Sequence, residues 1–190
     1  MSKNIHVPTL SSIDEHSATS ATFVVEPLHT GYGMTLGNSL RRVLLTSIGG
    51  AAITSFKIEG VSHEFTTVDG VKEDVVDIML ALKQVRFKVF SEEPQTVRLH
   101  KKGSGPVKAS DIDTTADVEV VNGSHKIATM DSSKGSLTID MTVETGRGYR
   151  PVIESNRGPK QSDVIELDAL FSPIQRVRYK VSNTRVGQMT

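Results

Sequence analysis

Three glycines, Gly31, Gly33 and Gly37, stand at the start of an apolar-periodic segment and are the first residues whose spacing could do chemistry. Glycines before a helix N-terminus can present backbone amides to an anion. Their spacing is G-x-G-x-x-x-G rather than G-x-G-x-x-G, and no Gly-Lys-Ser/Thr follows, which argues against a nucleotide loop. Lys101-Lys102-Gly103-Ser104-Gly105-Pro106 resembles a phosphate loop in composition but lacks the spacing, and reads as a plain loop. Acidic pairs occur at Glu73-Asp74, Glu92-Glu93 and Asp111 with Asp113. The first pair suits a helix start and the others polar loops; spacing alone leaves a glycosidase-type pair from distant segments open. Ser11-Ser12 and Ser132-Ser133 have no nucleophile-elbow context. No assembled set of nucleophile, base and charge stabiliser emerges, which argues against independent catalysis.

Metal chemistry is equally unsupported. The six histidines are scattered, and the absence of cysteine removes thiolate ligands, disulfides and thiol nucleophiles together. The arginines Arg41, Arg42, Arg147, Arg150, Arg176, Arg178 and Arg185 offer another kind of chemistry. A guanidinium fork pairs with carboxylates and stacks on aromatics at interfaces, although a single surface arginine is ordinarily just solvated.

The glycines open an amphipathic helix. Thr35 is the expected N-cap. At about 100° per residue Leu36, Leu40, Val43, Leu44 and Ile48 share one stripe. Gly37 lies within it and Ser39 just outside, small residues that would let another helix come close. Arg42 falls nearly opposite the stripe and Arg41 at its edge. Gly49-Gly50 is expected to end the helix in a left-handed cap. Such a stripe either packs on the chain's own sheet or serves a partner.

Elsewhere the chain reads mostly as strands. Residues 1–21 are mixed and polar, and Thr22–Glu26 is the first expected strand. Ala52–Glu59 alternates Thr54, Phe56 and Ile58 against Ser55, Lys57 and Glu59, and Glu64–Val68 suggests a short strand. Asp69 is expected to cap a second helix carrying Val71, Val75, Ile78, Met79 and Leu82 on its core face. Strands follow at Val85–Val89 and Val97–Leu99. Asn122-Gly123 suggests a type I′ hairpin joining Val118–Val121 to Ser124–Ala128. Leu137, Ile139, Met141 and Val143 alternate with polar residues in the cleanest strand, which Gly146–Pro151 interrupts, and Val177, Tyr179 and Val181 mark the last. The class is α+β, with several antiparallel strands and two helices.

At 190 residues the chain can bury a real core, and 37% hydrophobic with 23% charged residues fits a globular protein. With 22 basic against 22 acidic residues no overall field gathers nucleic acid. The N-terminus lacks the apolar region of a signal peptide and no run reaches membrane-span length, so the expected location is cytoplasmic, with no membrane partner.

Glu26-Pro27-Leu28 followed by Gly31-Tyr32-Gly33-Met34-Thr35-Leu36-Gly37-Asn38-Ser39-Leu40-Arg41-Arg42-Val43-Leu44-Leu45 closely resembles the N-terminal domain of the bacterial-type DNA-directed RNA polymerase alpha subunit. The likeness continues in order through Ile58–Phe65, Gly70–Val75, Gly105–Val107, Gly146–Tyr149, Ser172–Val177 and Thr184–Gln188. The resemblance implies two subdomains: an αβ dimerisation subdomain from 1–50 plus 173–190, and an inserted, mostly antiparallel β subdomain over 51–172. It implies a homodimer held by Leu36, Leu40, Val43 and Leu44, serving as the assembly platform for the beta and beta-prime subunits. Arg41, Arg42, Arg147 and Arg185 are the implied large-subunit contacts. The chain would then be a non-catalytic subunit of a nucleotidyltransferase, with no catalytic residue, no metal and no cofactor of its own. The alternative is a homodimeric interaction module without polymerase partners. A bacterial cytoplasm or a plastid stroma would suit such a subunit. In the family a further helix packs across the dimer and a separate C-terminal domain binds DNA. Neither lies in this sequence, so the helix stripe is expected to hold the dimer largely alone, with DNA reached only through the assembled enzyme.

Overall fold

A computed structural model describes residues 7–154 and 163–184. The chain forms two compact units, one from Met1–Leu44 with Arg176–Thr190 and the other from Leu45–Gln175. In the first, β1 (Thr9–Ser17) pairs antiparallel with β2 (Ser20–Glu26), and α1 spans Tyr32–Thr46. The expectation of a polar, strandless start is corrected. Register shifts between Leu10 and Ser12 and between Glu15 and Ser17 break the period of two, which hid β1 from pattern reading.

The second unit is built from β3 (Gly49–Ile58), α2 (Val75–Leu82), β4 (Phe87–Val89), β5 (Gln95–Lys102), β6 (Gly105–Lys108), β7 (Ile112–Asp113) and β8 (Val118–Val120). It continues with β9 (Lys126–Met130), β10 (Ser136–Arg147), β11 (Tyr149–Arg150), β12 (Ile165–Glu166) and β13 (Ala169–Leu170). Its seven-stranded sheet runs β7-β5-β10-β3-β4-β8, with β12 also on β3; β6 pairs β9 and β11 pairs β13. This confirms the α+β class with a β-rich, antiparallel body. Leu137, Ile139, Met141 and Val143 all point into the core as their alternation predicts, meeting Phe56, Ile58 and Leu99 of the sheet, Ile78 and Leu82 of α2, and Ile127 of β9.

The strand β3 departs from simple alternation. Its partner β10 opposes Ile53 with Val143 and Ser55 with Thr142, leaving Thr54 unpaired as a bulge. The extra residue shifts the phase, so Ala51 and Ile53 join the same core as Phe56 and Ile58. Thr54, expected on the Phe56 face, is buried with its hydroxyl on Glu144 Oε1 at 3.0 Å. Ala52 turns to a smaller cluster with Ala169 and Phe171. Gly50 was expected in a left-handed helix cap, but it lies in β3 without a positive φ. Its requirement is space, since a Cβ there would collide with the Phe171 carbonyl oxygen.

Other expectations fail for identifiable reasons. The cap of α2 is Asp74, whose Oδ1 accepts from Asp77 N at 2.7 Å, and not Asp69. Residues between them are held in a turn and bend: Val71 N donates to Val68 O, Lys72 N to Thr129 O, and Asp131 N to Gly70 O. Val75, Ile78 and Leu82 are buried as predicted. The Asn122 hairpin is absent, because β8 pairs β4 while β9 pairs β6. Neither Asn122 nor Gly123 has the positive φ of a type I′ turn. Asn122 instead accepts from Arg86 N at 2.7 Å and donates to Gln84 O at 2.9 Å, tying the end of β8 to the start of β4. Glu64–Val68 forms no strand, and Val177–Val181 runs without a strand partner.

Glu73 fastens the approach to α2 onto β9. Its carboxylate accepts from Thr129 N at 2.6 Å, Thr129 Oγ1 at 2.8 Å and Lys126 Nζ at 3.0 Å. Burial pushes its pKa up, but the bonds from Lys126 and Thr129 together outweigh burial and hold it below the usual carboxylate range. A depressed folded-state pKa contributes stability that is present above the unfolded value and lost as pH falls through the folded one.

Two outcomes are expected. In urea titrations the parent should exceed Glu73→Gln in midpoint at neutral pH, and the gap should close as pH drops from about 5 to about 3. Gly50→Ala should cost about 2–3 kcal/mol, lowering the thermal midpoint by roughly 5–10 °C by calorimetry, because backbone at Phe171 must move.

Candidate functional site

Tyr32 N donates to His29 O at 3.0 Å, and α1 begins there. The expected cap Thr35 is therefore inside the first turn. Two notches mark one side of the helix. A Cβ on Gly33 would stand 2.6 Å from Val181 Cγ1, and one on Gly37 would stand 2.5 Å from Tyr179 Cδ2. The Tyr179 hydroxyl donates to Asn38 Oδ1 at 2.8 Å. The alternation of Tyr179 and Val181 with Arg178 and Lys180 was legible, but the surface it faces is a helix rather than a strand. Gly37, expected to admit another helix, admits a ring of its own chain.

The apolar stripe is not consumed in this way. Leu36 is half-buried, while Leu40 remains 45% exposed, Val43 52% and Leu44 37%. Of the two readings of an amphipathic stripe, packing on the chain's own sheet does not cover these three. Exposed large side chains at i, i+3 and i+4 on one helix have the pattern of a docking seam. Arg41 and Arg42 are exposed on the same helix.

The remaining candidates fall in the other unit or beyond the described residues. Arg147 is exposed at the end of β10, opposite Gly49 of β3. Arg185 lies outside the described residues. Arg150 is structural: it pairs with Glu144 and sits 5.1 Å over the Phe171 ring. Beside it Tyr149 faces Leu170 across β11 and β13, both exposed. The Val152 amide, at 2.9 Å, leads the contacts that hold Asp168 below the usual carboxylate range; burial opposes it, and Tyr149 and Lys83 assist. Burial and then the hydrogen bond to Asp168 raise the Tyr149 phenol.

Sequence reasoning missed Tyr179 and Val181 as partners of α1, and Asn38 as the residue of the helix that anchors the Tyr179 hydroxyl. The available signal was a pair of glycines at i and i+4 on one face, which requires something close to fill it. Among the described residues no cluster of three or more histidines and carboxylates could hold a metal ion, and no helix is long and apolar enough to cross a membrane.

Residues 56–172 match the family described as the RNA polymerase Rpb3/RpoA insert domain. Curated relatives named DNA-directed RNA polymerase subunit alpha are similar over nearly the whole chain. The protein of Oceanobacillus iheyensis is 49% identical over 97% of this chain and 59% of its own length. That of Heliobacterium modesticaldum is 54% identical over 91% and 54%, and that of Desulfitobacterium hafniense is 50% identical over 98% and 59%. The chain thus spans between half and three-fifths of the length of these relatives. A match over most of the chain, on a β-rich body of the expected class, settles its ancestry: the chain belongs to the RNA polymerase Rpb3/RpoA insert-domain family.

Proposed function

We propose that the chain acts as the N-terminal part of a DNA-directed RNA polymerase alpha subunit, a non-catalytic component of a nucleotidyltransferase that self-associates and organises the beta and beta-prime subunits. The observation that carries this reading is the exposed Leu40–Val43–Leu44 seam on α1 in a chain so similar to alpha subunits. An apolar seam left open on a helix is stabilised when a second copy covers it, and a closed twofold pair is the commonest solution. Leu36, Leu40, Val43 and Leu44 form the dimer contact. Arg42 lies on the far side of the helix from the seam, and its guanidinium fork suits carboxylates of beta. Arg41, Arg147 and Arg185 complete the large-subunit contacts. Catalysis and its metal reside on the large subunits, and this chain holds no cofactor. It works in the compartment where transcription occurs, the cytoplasm or a plastid stroma, and meets DNA only through the assembled enzyme.

Leu40→Glu places a charge in the seam and should convert the dimer to monomer, read as a halved molar mass by light scattering. An unchanged mass would remove the seam from the interface. Arg42→Ala should leave the molar mass unaltered and reduce co-purification of beta by about tenfold, the loss of roughly 1.4 kcal/mol of charged contact. Capture of beta at the parent level would remove Arg42 from that contact.

A further inference from the structure

Asn122-Gly123 carries a chemistry that the assembly reading leaves unused, and Asn122 is the only asparagine of the chain followed by glycine. Asparagine is among the thermolabile side chains, and a glycine after it has no Cβ to hold its amide nitrogen away from the carboxamide. In the folded chain the side chain and the backbone beside it are both pinned. Asn122 Oδ1 accepts from Arg86 N at 2.7 Å, and Nδ2 donates to Gln84 O at 2.9 Å. Asn122 O accepts from His125 N at 2.9 Å, and Gly123 O accepts from Ser110 N at 2.9 Å. The surroundings are tied in the same way: Val121 N donates to Arg86 O at 2.8 Å and Ala109 N to His125 O at 2.8 Å. His125 Nε2 lies 3.0 Å from Ala81 O, near the end of α2. Asn122 therefore stands where the exit of α2, the approach to β4, the single helical turn Ala109–Asp111 and the approach to β9 meet.

We propose that Asn122 is a deamidation site gated by folding, closed in the native chain and open whenever this junction is undone. In the open chain the Gly123 amide nitrogen attacks Asn122 Cγ. The N–Cγ bond forms, the Cγ–Nδ2 bond breaks, and the amide proton, relayed by water, leaves with Nδ2 as ammonia. Water then adds across one of the two C–N bonds of the five-membered imide, opening it to aspartate or, with the main chain rerouted through the side chain, to isoaspartate. Water is the only co-reactant. Native geometry blocks the first step, because closing the ring takes the carboxamide off Gln84 O and Arg86 N and turns the backbone that His125 and Ser110 hold. The product no longer fits. A carboxylate there can still accept from Arg86 N, but its second oxygen faces Gln84 O, acceptor against acceptor, where Nδ2 donated. Isoaspartate also lengthens the main chain by one carbon and displaces the carbonyl that His125 N bonds. A chain left open is thus marked at the residue needed to close it.

The whole chain, incubated at mildly alkaline pH with and without urea, is sampled over time and digested with trypsin. Mass spectrometry then follows the peptide 109–126, which carries Asn122, against the same synthetic peptide free in each solution. In urea the chain should deamidate at Asn122 as fast as the free peptide. Without urea it should run at least about tenfold slower than the free peptide, the factor that about 1.4 kcal/mol of local opening free energy imposes. Equal rates in the native chain and the free peptide would overturn the gating. Gly123→Ala strains no positive φ, and its Cβ would find Ser110 Cβ as nearest atom at 3.4 Å. It should slow the reaction several-fold in urea, and an unchanged rate there would remove the Gly123 amide as the attacking group. Asn122→Asp, the direct product, should unfold at a lower urea concentration than the parent at neutral pH. A midpoint equal to the parent's would overturn the misfit of the product. The rates on the parent chain decide the gating independently of how well either variant folds.

Discussion

The pairing of β3 with β10, and the single extra residue it carries at Thr54, is the constraint from which the larger unit follows. A strand of strict period two could give only one of its faces to a given core. By slipping phase once, β3 sends Ala51, Ile53, Phe56 and Ile58 to one side and keeps Ala52 for the Phe171 cluster. The bulge has its own partners, since the Thr54 hydroxyl reaches Glu144, and Glu144 in turn holds Arg150 over Phe171. The threonine of the bulge thereby connects the central sheet to the corner where β10 passes into β11.

The outer face of the same sheet is organised by charge. Asp140 of β10 stands opposite Arg98 of β5 on one side and Lys57 of β3 on the other, and Lys57 also pairs with Asp163. The strand register fixes this alternation across three neighbouring strands. Opposite charges directly across a ladder support the register, whereas like charges there oppose it. Such exposed pairs add little stability individually, so their value lies in specifying alignment rather than strength.

What the sequence made legible was whatever a single element decides for itself. The buried face of β10, the core face of α2 and the apolar stripe of α1 are periodicities, and they survive folding intact. What it concealed was decided by neighbours. Asp69 lost the cap to Asp74 because Thr129 and Asp131 captured the intervening backbone, and Asn122 opens a turn to His125 outside any hairpin while its side chain bonds the chain at Gln84 and Arg86. The polar strand β1 was invisible because its two register shifts erase the alternation by which strands are recognised. At the candidate site the stripe and the two arginines of α1 were readable, while the residues that cover its glycines lie more than a hundred positions away.

That separation has a consequence in time. The larger unit is one continuous stretch, Leu45–Gln175, and can condense as soon as it is made. The smaller unit is not. Its helix is synthesised early, but Gly33 and Gly37 stay bare until Tyr179 and Val181 have left the ribosome. A nascent chain released before that point would display a helix with its glycine groove open to any passing surface. Maturation of α1 is thus timed by the segment that carries Tyr179 and Val181 rather than by its own synthesis.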